Sequence, residues 1–303
     1  MKNNKLYIIA ALLGVALAGC QKEELYVNDE NPDGKTWKLT VLATKDVDFK
    51  ALDIVEGSGG KPQLNASWNI GEKVNVFLAG DVIGTLTVIS VDGEDAVLSG
   101  KVDVDDLQEN DQLLLLFPGR DDEEWNYLDQ DGTIGTIAGQ YDYATAELTV
   151  SSLDSENQVV QTTMSTTIFT NQQSVYRLGF KVGSSAVDVE SIVLTSAQNK
   201  LVRDRTFSGG SWTSSYGAIS MDPDPESAPD DHIYFMSIRN DNEGTTNDYT
   251  FSAVRTSDNA YYEGTKVINK TLVNGKFYNA SVNMNKKSFA TASGSISTAE
   301  GVL

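Results

Sequence analysis

The chain has 303 residues, one cysteine, one histidine and a formal net charge of −20. A single cysteine excludes a disulfide framework and a cysteine-based zinc site, and so acidic a body repels phosphate backbones, which argues against nucleic acid as a partner. The length suits two ordinary domains or one large β domain.

Lys2 and Lys5 precede an apolar run over residues 6–17, which ends in Leu17-Ala18-Gly19-Cys20. The run is too short to span a bilayer and has the order of a secretory signal. The alternative is a buried N-terminal helix that happens to end in cysteine. With its small residues before Cys20, the segment resembles a lipobox, in which Leu17, Ala18 and Gly19 are read by the lipoprotein signal peptidase and the Cys20 thiol is lipidated. Residues 1–19 would then be the signal peptide and 20–35 a lipidated tether. Outer-membrane lipid would be a partner through Cys20. Gln21-Lys22-Glu23-Glu24 resembles the export signal that places lipoproteins of Bacteroidetes on the outer face of the outer membrane; the plainer reading is a charged linker.

Regular patterning starts at residue 36. Trp37, Leu39, Val41 and Ala43 alternate with Lys38, Thr40 and Leu42, the period of a half-buried strand over residues 36–44. Residues 51–62 read as a loop rich in glycine. After Trp68 and Gly71, Val74, Val76 and Leu78 share a strand face, and Leu86, Val88 and residues 96–102 continue as strands. Leu113 to Phe117 is an unbroken apolar run ended by Pro118-Gly119, which suits a strand covered on both faces. Asp121-Asp122-Glu123-Glu124 and Asp129-Gln130-Asp131-Gly132 read as acidic loop, and Leu148 and Val150 suggest one more strand. The polar run 161–173 reads as a boundary. Tyr176, Leu178, Phe180 and Val182 then open a second series that includes 189–195, 232–238, Tyr249, Phe251, Ala253, and Tyr278, Ala280, Val282 and Met284. Many short strands and no sustained helical period predict an all-β chain with two sandwiches, 36–168 and 169–303.

Trp68, Gly71, Glu72, Lys73, Val74, Val76 and Phe77, the Phe117-Pro118 strand ending, the 175–182 strand and Gly275-Lys276-Phe277-Tyr278 to Val282 resemble the fimbrillin family, the subunits of type V pili. The resemblance implies two tandem transthyretin-like antiparallel β-sandwich domains on a lipid anchor, assembly with other pilus subunits by β-strand addition, and a role in cell adhesion at the cell surface. Trp37, Leu39 and Val41 would be the pocket residues of the exchangeable first strand. Stalk subunits of that family are matured by an arginine-specific protease. This chain has no arginine before Arg120, which implies an anchor or accessory subunit that keeps its first strand.

A surface glycan-binding lipoprotein is the competing reading. Trp125 and Tyr127 beside Asp129, Tyr141 and Tyr143, or Trp212 and Tyr216 would supply stacking faces for a glycan or host ligand. An enzyme is disfavoured: His232 lacks a nucleophile elbow, and the acids 121–124 read as solvated surface. Asp129, Asp131 and Gly132, and Asp222 and Asp224, fall short of a calcium loop. No metal and no cofactor is expected.

Overall fold

In the computed structural model the described residues are 35–45, 50–56, 62–65, 67–120, 124–198, 200–223, 232–241, 247–255, 260–268 and 272–288. All of them belong to the second of two compact units, Lys35–Leu303. Leu17, Ala18, Gly19, Cys20, Gln21, Lys22, Glu23 and Glu24 lie outside the described residues, as do Asp121, Asp122, Glu123 and Asp224.

The chain is an all-β sandwich protein. Its first eleven strands are β1 Thr36–Lys45, β2 Lys50–Glu56, β3 Pro62–Asn65, β4 Lys73–Leu78, β5 Asp81–Asp92, β6 Asp95–Asp103, β7 Gln112–Phe117, β8 Glu124–Asn126, β9 Ala144–Asp154, β10 Val159–Thr162 and β11 Thr167–Asn171. Eight of them form a closed circuit of pairings. It runs β1–β6–β5–β4–β7–β9 and returns from β9 through β10 and β11 to β1. Closure removes the open row of backbone donors and acceptors that an edge strand would present. The circuit encloses one core of Leu39, Val74, Val76, Leu86, Leu98, Leu113, Leu115, Leu148 and Phe169, capped by Trp37 and Trp68.

The second series is β12 Ser174–Val182, β13 Ser185–Ala186, β14 Val189–Ser196, β15 Val202–Ser208, β16 Ser211–Tyr216, β17 Ile219–Met221, β18 Ile233–Ile238, β19 Asn247–Arg255, β20 Ala260–Ile268, β21 Phe277–Asn283 and β22 Asn285–Lys286. β12 lies between β18 and β21, and β17-β14-β19-β20-β22 form the facing sheet. Their inner residues, including Leu178, Phe180, Ile192, Leu194, Met236 and Phe251, make a second core.

Three expectations need correction. The pairing is not wholly antiparallel: β1 runs parallel to β10 and β11, and β12 runs parallel to β21. The glycine-rich stretch expected as a loop carries the hairpin β2–β3 at its ends. The polar run 161–173 carries β11, whose Thr167, Phe169 and Asn171 point inward while Ile168 and Thr170 point out. The boundary expected at 168/169 falls inside that strand.

The two cores also share chain. Between β7 and β9 the backbone leaves the first sheet, pairs β8 with β15, and makes a helical turn, Ile134–Thr136, that runs into a π turn, Ile137–Tyr141. Trp125, Tyr127, Ile137, Tyr141 and Tyr143 are buried in the second core. Gln130 fixes this crossing. Its side chain accepts from the Ser237 N–H at 2.7 Å and donates to the Ser237 carbonyl at 2.9 Å, imitating a neighbouring strand along β18. Phe77 of β4 meets Phe207 of β15 edge to face at 4.9 Å. Leu116 also joins the second core, while Leu113 and Leu115 join the first. The apolar run of β7 is thus covered on both faces because the second sandwich supplies the outer cover.

Candidate functional site

The site is built around β1, the strand that closes the first circuit. Its burial alternates along its length, with Trp37, Leu39, Val41, Ala43 and Lys45 turned inward. Leu39 and Ala43 are fully buried. A fully buried leucine such as Leu39 contributes about 1.5–3 kcal/mol.

Both edges of β1 are occupied. Along one edge it pairs antiparallel with β6, from Thr36 opposite Asp103 to Thr44 opposite Asp95. Along the other it pairs parallel, first Lys38 and Leu39 with Val159 and Val160 of β10, then Ala43, Thr44 and Lys45 with Thr167, Ile168 and Phe169 of β11. Thr40 and Ser99 hydroxyls meet at 3.1 Å on the outer face. β1 therefore lies in a slot with backbone partners on two sides and a line of side-chain pockets beneath. Such a slot takes an extended segment: main-chain hydrogen bonds give affinity, and alternate pockets give specificity.

The far end of the slot is polar. Lys45 is 5% exposed. Its ammonium lies 4.0 Å from the ring centre of Phe117 and 4.5 Å from that of Trp68, and it donates to the Ser67 carbonyl at 3.4 Å. Trp68 in turn packs edge-on against Phe117 at 5.3 Å and Phe169 at 5.2 Å. A desolvated ammonium over such faces gains about 2 kcal/mol. Asp142 stands nearby, with its Oδ1 accepting from Asn171 Nδ2 at 3.2 Å and Gln173 Nε2 at 3.1 Å. Burial pushes the Asp142 carboxyl above the usual carboxylate range; the Lys45 charge and the Gln173 amide pull it down, and Glu72 pushes it up.

Of the residues expected at the exchangeable strand, Trp37, Leu39 and Val41 all face this slot. Lys45, Asp142, Asn171 and Gln173 were not foreseen. The available signal was the phase of Lys45, which continues the inward set Trp37, Leu39, Val41, Ala43.

The aromatic residues considered for sugar stacking are mostly inside. Trp125, Tyr127, Tyr141 and Tyr143 are buried, with Trp125 stacked on Tyr143 at 4.3 Å. Arg205 lies 4.2 Å over Trp212 and donates to the Tyr143 hydroxyl at 3.3 Å. Pairing of β8 with β15 draws them off the surface. Tyr216 is exposed, and its hydroxyl donates to Asp241 at 2.8 Å. His232 is half-exposed and pairs with Asp188. Asp129 accepts from the Ser220 hydroxyl at 2.9 Å, and Asp131 accepts from the Thr133 N–H at 2.8 Å. Among the described residues no helix is long and apolar enough to cross a membrane.

No family model matches the chain, and no curated protein matches it. Solved structures similar to it include a proposed cell adhesion protein from Bacteroides ovatus, at 12% identity and a TM-score of 0.44, covering 82% of this chain and 95% of that one. A proposed cell adhesion protein from Bacteroides uniformis gives 11% identity and a TM-score of 0.45, covering 82% and 97%. The tip fimbrial protein Mfa3 from Porphyromonas gingivalis, with a C-terminal truncation, gives 9% and 0.40, covering 83% and 98%. At these identities and TM-scores none of the likenesses carries a functional conclusion.

Proposed function

We propose that the chain is a lipid-anchored surface subunit of the fimbrillin type, attached through Cys20, that keeps β1 in its own slot and serves as a pilus anchor or accessory adhesion subunit. One observation carries the reading. β1 is the first strand of its unit and has hydrogen-bonded partners along both edges, so its departure would open a groove with two unsatisfied edges for a strand from another subunit. With β1 in place the groove is filled and the subunit does not polymerise through it. The missing arginine before Arg120 supports retention, because the family's arginine-specific processing has no target in the leading strand. Lysines 35, 38 and 45 leave room for a protease of different specificity; Lys35 and Lys38 are exposed, whereas Lys45 is buried.

Mass spectrometry of the protein taken from intact cell surfaces tests this. The expected species begins at a lipidated Cys20, contains β1 and forms no ladder. A species beginning near residue 46 and running as a ladder would make the chain a stalk pilin. A Cys20→Ser chain that still fractionates with membranes would remove the lipid anchor, since acyl chains contribute ~0.8 kcal/mol per buried methylene and no other anchor is invoked.

A further inference from the structure

The far end of the β1 slot differs from the rest of it, and the difference has consequences for what can enter. Around Trp37, Leu39, Val41 and Ala43 the surroundings are apolar, with Leu98 and Val102 of the neighbouring strand β6 among them. Around Lys45 they change character. Two aromatic faces, those of Trp68 and Phe117, are turned to the ammonium at 4.5 and 4.0 Å. The Ser67 carbonyl accepts from it. The Lys45 charge also acts on the Asp142 carboxyl, which accepts from Asn171 and Gln173. Gln173 is fully buried, and its Oε1 has no donor. The register explains the convergence: Phe117 of β7 lies opposite Ala144 of β9, Ala144 lies opposite Asn171 of β11, and Phe169 of β11 lies beside Lys45. Two ring faces and a backbone carbonyl meet at one point, within the field of Asp142, and each favours positive charge there.

We propose that this end of the slot is a cation pocket, so that a strand able to take the place of β1 must carry a lysine or arginine at the fifth inward position. The inference rests on the strand-exchange reading above and adds the chemistry of the partner. The occupant is an extended segment with alternate apolar side chains, a small residue at the fourth inward position and a basic one at the fifth. An apolar residue there would leave the Ser67 carbonyl without its lysine donor and the two ring faces without a cation, and an acidic one would meet those ring faces and the field of Asp142.

The test uses the full chain carrying Cys20→Ser, with residues 46–49 replaced by a site-specific protease sequence. After cleavage β1 is held without a covalent link and is challenged with labelled synthetic peptides of residues 36–45. The native peptide should enter. A Lys45→Arg peptide should bind within about threefold of it, a Lys45→Met peptide about tenfold more weakly, and a Lys45→Glu peptide not measurably. Equal binding of the Lys and Met peptides would overturn the pocket and leave strand exchange standing. If no peptide enters, strand exchange fails, and the pocket is judged on the uncut chain. There Lys45→Met should speed amide exchange along β1 about tenfold while Lys45→Arg leaves it near the wild-type rate. Unchanged exchange in Lys45→Met would overturn the pocket.

Discussion

β1 and β12 hold the same place in the two sandwiches. Each is the leading strand, with an antiparallel neighbour on one edge and a parallel late strand on the other: β6 and β10/β11 flank β1, and β18 and β21 flank β12. They differ in how they are tied. Gln172 and Gln173 are all that separates β12 from β11, and its first residue is locked by the Ser174 hydroxyl, which donates to the Val273 carbonyl at 3.1 Å. Tyr176 of β12 packs on Tyr278 of β21 at 4.9 Å and on Tyr249 at 6.1 Å. β1 has no strand before it in its unit. Two strands of equal topology can therefore have unequal freedom: β12 cannot leave without dragging β11 from the first circuit, whereas β1 can leave from its own leading end.

The largest expected effect breaks this comparison directly. Leu39→Asp and Leu178→Asp each put a carboxylate in a fully buried position, at a penalty of several kcal/mol. Leu178→Asp should abolish folding of the whole chain. Leu39→Asp should expel β1 while the second core survives, seen as rapid amide exchange confined to β1, β6, β10 and β11 against retained β-type circular dichroism. Equal collapse of both variants would mean that β1 is as indispensable as β12.

Next in size is Gln130→Ala. It leaves both backbone groups of Ser237 unpaired within the second core, for a loss of about 2–4 kcal/mol. The residue is carried by chain from the first series, so denaturant unfolding followed by Trp125 fluorescence should show the loss although no residue of the second series has changed. No shift in midpoint would show that the crossing does not support β18.

Gly80→Ala sharpens the comparison at the hairpin tips. Gly80 has φ +102, and an added Cβ would run into the Gly209–Gly210 backbone between β15 and β16. Strain of about 1–3 kcal/mol is expected. Gly93 has φ +64 with open space around it, so Gly93→Ala should be milder, and the gap between the two thermal midpoints measures the contact between sandwiches.

The smallest effect is one of pH. The folded-state pKa of Asp142 lies above its ordinary value. Its contribution to stability is therefore present below the unfolded pKa and fades as pH rises through the folded one. Asp142→Asn should flatten that part of the stability profile, just above the usual carboxylate range. Lys45→Met, which removes the charge that pulls the pKa down, should extend the fade to higher pH. An unaltered profile in both variants would separate Asp142 from the slot.

Most strands were legible because alternation is a local property. Trp37, Leu39, Val41 and Ala43 can face one side only if residues 38, 40, 42 and 44 face the other, whatever the strand pairs with. The apolar run Leu113–Phe117 likewise announced two covered faces without saying what covered the second. β11 was missed because Thr167 and Asn171, two of its three inward residues, are polar, and they are tolerated inside only because partners such as Asp142 await them. β15 and β16 were missed because Arg203, Asp204, Arg205 and the serines 208, 211, 214 and 215 hide a strand pair whose buried residues face Trp125 and Tyr143 of another segment.

The sequence by itself determined that this is an all-β chain of two strand series, and which side chains of β1 point inward, since period-two burial needs no knowledge of neighbours. Only the tertiary structure decided that β1 closes a circuit, that the stretch between β7 and β9 crosses into the second core, and that Lys45 ends in a box of Trp68, Phe117 and Ser67 with Asp142 nearby. Those outcomes depend on contacts between residues far apart in the chain, such as Gln130 with Ser237 and Lys45 with Phe169. A burial period cannot encode which distant partner will neutralise an inward charge or satisfy an inward amide.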